Sequence, residues 1–109
     1  MRELNIGTKK YTKVVCLDAP GVDGACHEYA ISRVQNNIGS PIGEFGTIYF
    51  QNGPIEENGV NGCHQGDLLA IVIDRLWHFQ AGDFACRENA LALIKIEEAL
   101  YWLNHRRTY

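Results

Sequence analysis

The residues best able to do metal or nucleophilic chemistry are four histidines (His27, His64, His78, His105) and four cysteines (Cys16, Cys26, Cys63, Cys86). Cys26-His27 and Cys63-His64 are adjacent pairs, and folding them together would supply four zinc ligands. Their separation is unlike that of common zinc fingers, no HExxH occurs, and no two histidines stand at i,i+4 on a helix. Satisfied or solvent-facing histidines, with no metal and no cofactor, are the expectation. Cys-His catalysis meets a geometric objection, since adjacent residues on a strand point to opposite faces. Asp67 and Asp74 are seven apart and share a helical face, so they could mimic paired carboxylates. Asp74 beside Arg75 reads more simply as a source of surface or interface ion pairs. GxSxG, GxGxxG and GK[ST] are absent, and the chain is not expected to be an enzyme.

A second set of residues suits a small-molecule pocket. Phe79 and Phe84 flank a break between two helical segments, Asn89 lies one to two turns into the second, and Arg106 lies near its far end. An aromatic face and a guanidinium plane can sandwich a purine, Asn can read a base or ribose edge, and Arg can fork onto phosphate oxygens. At 1.5 Å per residue Arg106 is about 25 Å from Asn89 along the helix, too far to share one pocket within one chain. Across two antiparallel hairpins the far end of one second helix would meet the turn of the other. The plainer reading is core phenylalanines and exposed helix-end arginines.

These residues need elements to position them. YTKVVCLD (11–18), CHEYAISRV (26–34) and FGTIYFQ (45–51) read as strands, the last with Ile48 and Phe50 opposite Thr47, Tyr49 and Gln51. The connections PGVDG and NNIGSPIGE are too short for crossover helices, so a three-stranded antiparallel sheet is expected. GPIEENGVNG is turn-rich: Pro54 fixes one backbone angle, and Gly53, Gly59 and Gly62 permit left-handed ones. From Gln65 to Gln80, Leu68, Leu69, Val72, Ile73, Leu76 and Phe79 recur at helical spacing, and Asp67 suits the first turn. A break follows at Ala81-Gly82-Asp83, where Asp83 suits an N-cap. A second helix runs from about Phe84 to His105, closed by His105, Arg106 and Arg107 at the negative end of its dipole. Its apolar band is wider than one neighbour requires, which points to a subunit contact. The fold class is therefore α+β, with a sheet lobe (1–52), a Gly/Pro-rich connector (53–64) and an antiparallel helical hairpin (65–109), assembling as a dimer.

Composition narrows the partners. The chain has 109 residues, ten Lys and Arg against thirteen Asp and Glu, and a net charge of -3. No basic surface for DNA or RNA is expected. Asp67 and Asp74 interrupt the longest apolar run, so no membrane span is expected, and MRELNIGTKKYTK lacks the apolar core of a secretory signal. The cysteines contain no CxxC and suit a reduced compartment.

The stretches GPIEENGVNG, LLAIVIDRL, FQAGDFACRENALAL and EEALYWLNHRRT, and more loosely DGACHEYAISRV and IYFQ, are distinctive. In them the chain closely resembles the phage Thoeris anti-defence signal-sponge family, the first family of that kind. It implies a non-catalytic protein that binds cyclic ADP-ribose isomers (glycocyclic ADP-ribose) made by Thoeris TIR-domain enzymes. Sequestering the signal leaves the NADase effector unactivated, in the cytoplasm of the infected or lysogenic host. The same fold is shared with a second family of phage sponges against CBASS signalling. Dimers, or hexamers built as three dimers, that also hold cyclic di- or trinucleotides at separate sites are implied as well. The alternatives are a sponge mainly for CBASS nucleotides and an enzyme that degrades the signal. Carried over by motif, Phe79 before QAG, Asn89 of CRENA and the first arginine of HRRT, Arg106, hold the ligand. Arg33 is the candidate for a strand arginine. Family members usually continue past this point with a basic, Gly-containing tail.

Overall fold

The computed structural model describes residues 1–34 and 42–106. Most of the NNIGSPIGE connection, and Arg107 at the expected helix end, lie outside the described residues. The chain divides into two compact units, residues 1–63 and 64–109.

The first unit is a four-stranded antiparallel meander in the order β1-β2-β3-β4: Arg2–Glu3, Thr12–Cys16, Glu28–Arg33 and Gly46–Tyr49. Three of these strands fall inside the segments expected from Tyr, Val and Ile patterning. The additional one, β1, is two exposed residues with no such pattern. Its place is set by its partners, with Arg2 opposite Cys16 and Glu3 opposite Val15. Register sorts the side chains between the two faces. Val15 pairs with Ala30 and Ala30 with Thr47 on one face; Cys16 pairs with Tyr29 and Tyr29 with Ile48 on the other. The small core holds Val15, Cys16, Ala30, His27 and Ser32. Both buried polar side chains are bonded: Ser32 Oγ accepts the Gly43 N–H at 2.7 Å, and His27 Nε2 lies 2.9 Å from Asp23 Oδ2.

After β4 the chain makes one helical turn, α1 (Ile55–Asn58), within the segment expected to be irregular. Gln51 and Asn61 tie it down: Gln51 Nε2 donates to the Gly53 and Gly59 carbonyls, and Asn61 exchanges two bonds with the Asn52 backbone. Gly53 and Gly59 have φ of 85° and 70°, the left-handed region expected of them. Gly62 does not, and its reason is proximity: a Cβ there would lie 2.6 Å from the Tyr49 carbonyl and closer still to that of Phe50. The close approach lets Cys63 bridge in parallel beside Phe50.

The second unit is an antiparallel helical hairpin of α2 (Gln65–Ala81) and α3 (Arg87–His105). Direction is fixed by cross-helix neighbours. Gly66 lies under Leu100 at one end, and Gln80 bonds Cys86 at the other. The His64 N–H donates to Asp67 Oδ2 at 2.9 Å, so the first-turn aspartate caps α2 directly. Asp83 is not the cap of α3. Cys86 is, its Sγ accepting the Asn89 N–H at 3.4 Å. The helix begins three residues later than the apolar pattern suggests because Gln80 holds Cys86 in extended conformation. Only Ile73 is buried along the two helices, while Ile71, Trp77, Leu91, Ile94, Tyr101 and Trp102 remain exposed. No helix among the described residues is long and apolar enough to cross a membrane.

Candidate functional site

The turn of the hairpin is built from side chains folded back onto backbone. Gln80 Nε2 donates to the Cys86 carbonyl and the Cys86 N–H donates to Gln80 Oε1, each at 3.1 Å. The amide thus imitates a backbone pair and closes the five-residue connection between the helices. On one side of that clamp, one residue away, is Phe79. On the other is Asn89, whose backbone N–H is held by the Cys86 thiol. The structure therefore brings Phe79 and Asn89 to the same end of the hairpin.

Phe79 is 36% exposed, and the Arg75 guanidinium lies over its ring at 5.3 Å from the centroid. Asp74 is engaged elsewhere, with His78 Nδ1 at 2.8 Å from its carbonyl and 3.6 Å from its carboxylate. Asp74 thus makes a surface ion pair, as expected, and Arg75 makes a cation–π contact with a residue one helical turn away. That i,i+4 spacing was visible in the sequence. One face of the Phe79 ring is thus committed to a cation.

Arg106 stands at the opposite end of α3 as its C-cap residue, its N–H donating to the Leu103 carbonyl. The turn before it carries an aromatic cluster. Tyr101 lies 4.2 Å from His105 and 5.4 Å, edge-on, from Trp102, which is 64% exposed. Seventeen residues of helix, about 25 Å by rise, separate Asn89 from Arg106, so one chain does not bring them together.

On the hairpin lies an open groove of about 530 Å³ lined by Ala70, Ile73, Asp74, Trp77, Glu97, Leu100, Tyr101 and Asn104. Trp77 Nε1 donates to Glu97 Oε2 at 3.2 Å and pins the helices at mid-length. The groove's aromatic and aliphatic lining with two carboxylates makes it a poor host for a bare phosphate and a suitable one for apolar side chains.

Arg33, the strand candidate, belongs to the first unit. Its Nη2 and Nε pair with the two carboxylate oxygens of Glu44 at 2.9 and 3.1 Å, and its guanidinium stacks on Phe45. A shallow cleft of about 450 Å³ adjoins it, lined also by Lys10, Tyr11, Thr12 and Val34. Any anion there competes with Glu44 for the same fork of donors.

Comparison with known proteins matches residues 44–108, more than half of the chain, to the family described as Acb2/Tad1, hairpin domain. The match takes in Phe79, Asn89 and Arg106 and excludes Arg33. The chain is also 55% identical over 64 residues to Thoeris anti-defense 1 of Bacillus phage SBSphiJ7, an alignment covering 59% of this chain. It covers 45% of the phage protein, so the chain spans less than half the length of that relative. The helical hairpin lies wholly within the matched residues, and the chain belongs to the Acb2/Tad1 hairpin-domain family.

Proposed function

We propose that this protein is a phage anti-defence protein of the Thoeris-inhibiting kind. It binds a cyclic ADP-ribose isomer made by TIR-domain enzymes, holds it without cleaving it, and so keeps the effector from being switched on in the host cytoplasm. The observation that carries the reading is that Phe79, Asn89 and Arg106 all lie inside the residues matched to the family, a member of which is named for Thoeris anti-defence. The local geometry supports it. Phe79, with Arg75 beside it, offers an aromatic ring for a purine, and Asn89 presents an amide at the same end of the hairpin.

The site is completed by a second copy. Two hairpins laid antiparallel place the Arg106 end of one, with Tyr101, Trp102 and His105, beside the Phe79 and Asn89 end of the other. Exposed Ile71, Leu91, Ile94, Tyr101 and Trp102 supply the apolar surface such a pairing needs. Each ligand is then held between an aromatic ring from one subunit and an arginine from its partner, and Arg33 is proposed as a further contact. Three such dimers would make the hexamer.

The test is calorimetry with a cyclic ADP-ribose isomer on the wild type, Phe79→Ala and Arg106→Ala, alongside light scattering. Tight binding by the wild type, loss in both variants and an unchanged dimer are expected. Binding retained in both variants overturns the site. Sequestration is separated from hydrolysis by heat-denaturing the loaded protein: intact nucleotide in the supernatant supports a sponge, and a cleaved product overturns it. Cyclic di- and trinucleotides, the second ligand class, are tested by competition. A separate site leaves the cyclic ADP-ribose isomer undisplaced.

A further inference from the structure

The first unit contains a cluster that its sequence spacing conceals. Cys16 ends β2, Cys26 precedes β3, and Asp18 lies in the loop between them. Their sulfur and carboxylate atoms all lie within 4.8 Å of one another, the one such convergence of His, Cys, Asp or Glu among the described residues. Cys63 and His64, which with Cys26 and His27 make the zinc set conceivable from sequence, are not part of it.

We infer that Cys16, Cys26 and Asp18 form a binding site for a borderline-soft divalent cation of the zinc class. The donor set is two thiolates and a carboxylate, the composition such ions take, and a solvent-filled fourth position completes the tetrahedron. With Zn–S and Zn–O bonds of about 2.3 and 2.0 Å, the edges of that tetrahedron are about 3.5–3.8 Å. Cys16 Sγ is already 3.8 Å from Asp18 Oδ1, so the ion requires little movement of either residue.

The surroundings are arranged as an outer shell. Asp18 is held by the His27 N–H at 3.0 and 3.1 Å and the Glu28 N–H at 3.1 Å, which orients the carboxylate and leaves acceptor capacity for a cation. Beside it, His27 Nε2 is bonded to Asp23 at 2.9 Å, and its Nδ1 lies 3.8 Å from Asp18 Oδ2. The Arg2 guanidinium lies close enough to Cys26 and Cys16 to interact with both electrostatically. Two thiolates, one carboxylate and a divalent cation sum to a single negative charge, which the Arg2 guanidinium cancels. Cys16 is 1% exposed and Asp18 about a quarter, so the site is closed on the sheet side and open toward the loop. A bound ion would tie the 17–25 loop to two strands. It would act as a clamp on a unit whose apolar core is small.

The full chain, reduced and freed of metal by chelator, is titrated with Co²⁺. One equivalent should give the intense visible bands of tetrahedral cobalt with sulfur-to-cobalt charge transfer in the near ultraviolet, and Zn²⁺ should bleach them. Cys26→Ser, at a half-buried position, and Asp18→Asn should each weaken binding at least tenfold. The double variant Cys63→Ser/Cys86→Ser should bind like the wild type. Because Cys16→Ser could fail to fold, Cys26→Ser decides the matter, with circular dichroism confirming its structure. A weak octahedral spectrum, full binding by folded Cys26→Ser, or loss of the bands in the Cys63/Cys86 variant overturns the assignment. None of these results depends on nucleotide binding.

Discussion

Replacing Gln80 with alanine tests whether the hairpin turn is held by one side chain. Gln80 makes two hydrogen bonds to the Cys86 backbone, each 3.1 Å long and at a solvent-accessible place. A protein hydrogen bond contributes about 0.5–1.5 kcal/mol net, and exposure favours the lower half of that range. Their combined loss should therefore weaken turn closure by about 1–2 kcal/mol, a factor of about five to thirty in the closed population. The Cys86 amide reports this directly, since its N–H donates to Gln80 Oε1. Its hydrogen-exchange protection should fall by that factor in Gln80→Ala. Gln80→Glu should fall less, because a carboxylate still accepts from Cys86 N–H while losing the donation to Cys86 C=O. Affinity for the cyclic ADP-ribose isomer should drop in parallel, as Phe79 and Asn89 lose their fixed spacing. Exchange at Cys86 unchanged within twofold would refute the reasoning. It would mean that the Gly82 N–H to Phe79 carbonyl bond and the Cys86 cap hold the turn without Gln80. Faster exchange with unchanged affinity would separate turn geometry from binding.

Other outcomes are expected from the same structure. Arg75→Ala should weaken ligand binding by about 1 kcal/mol, the scale of an exposed cation–π contact, with little change in melting temperature, as calorimetry and thermal unfolding would show. Gly62→Ala forces a Cβ against the backbone carbonyls of Tyr49 and Phe50, and should destabilise the first unit by about 1–3 kcal/mol in denaturant titration. Burial pushes the Asp18 carboxyl up, but N–H donors from His27 and Glu28 outweigh it and hold the group below its ordinary value. A depressed acid stabilises the fold above its unfolded value, about 3.9, and the contribution is lost as pH falls through the lower folded value. In chelator, Asp18→Asn should therefore lower stability at neutral pH and flatten its decline below about pH 4. Arg33→Ala should remove the Glu44 pair and leave the hairpin's thermal transition unchanged; a shift of that transition would tie the strand arginine to the second unit.

Much of the fold was legible because its signals are local. Alternation marked β2, β3 and β4, and apolar spacing marked α2 and α3 to within a few residues. What failed to appear depended on partners distant in sequence. β1 has no pattern of its own and exists through pairing with Val15 and Cys16. The start of α3 is set by Gln80 reaching across the turn, an interaction that no capping preference for Asp83 could reveal. Asp74 makes the surface ion pair expected of it, with His78, while the Arg75 stack on Phe79 needed the structure to be seen.

Sequence alone determined the element types, the order of sheet before hairpin, and the residue kinds at the hairpin's ends, because periodicity and turn chemistry act over a few residues. Tertiary structure decided which of those residues meet. It placed Phe79 with Asn89 across the Gln80 clamp, whereas the helix length between Asn89 and Arg106 already follows from the rise per residue. It also gathered Cys16, Asp18 and Cys26 from two strand ends and a loop, at a spacing no linear motif encodes. Antiparallel pairing brings strand termini together whatever the length of chain between them.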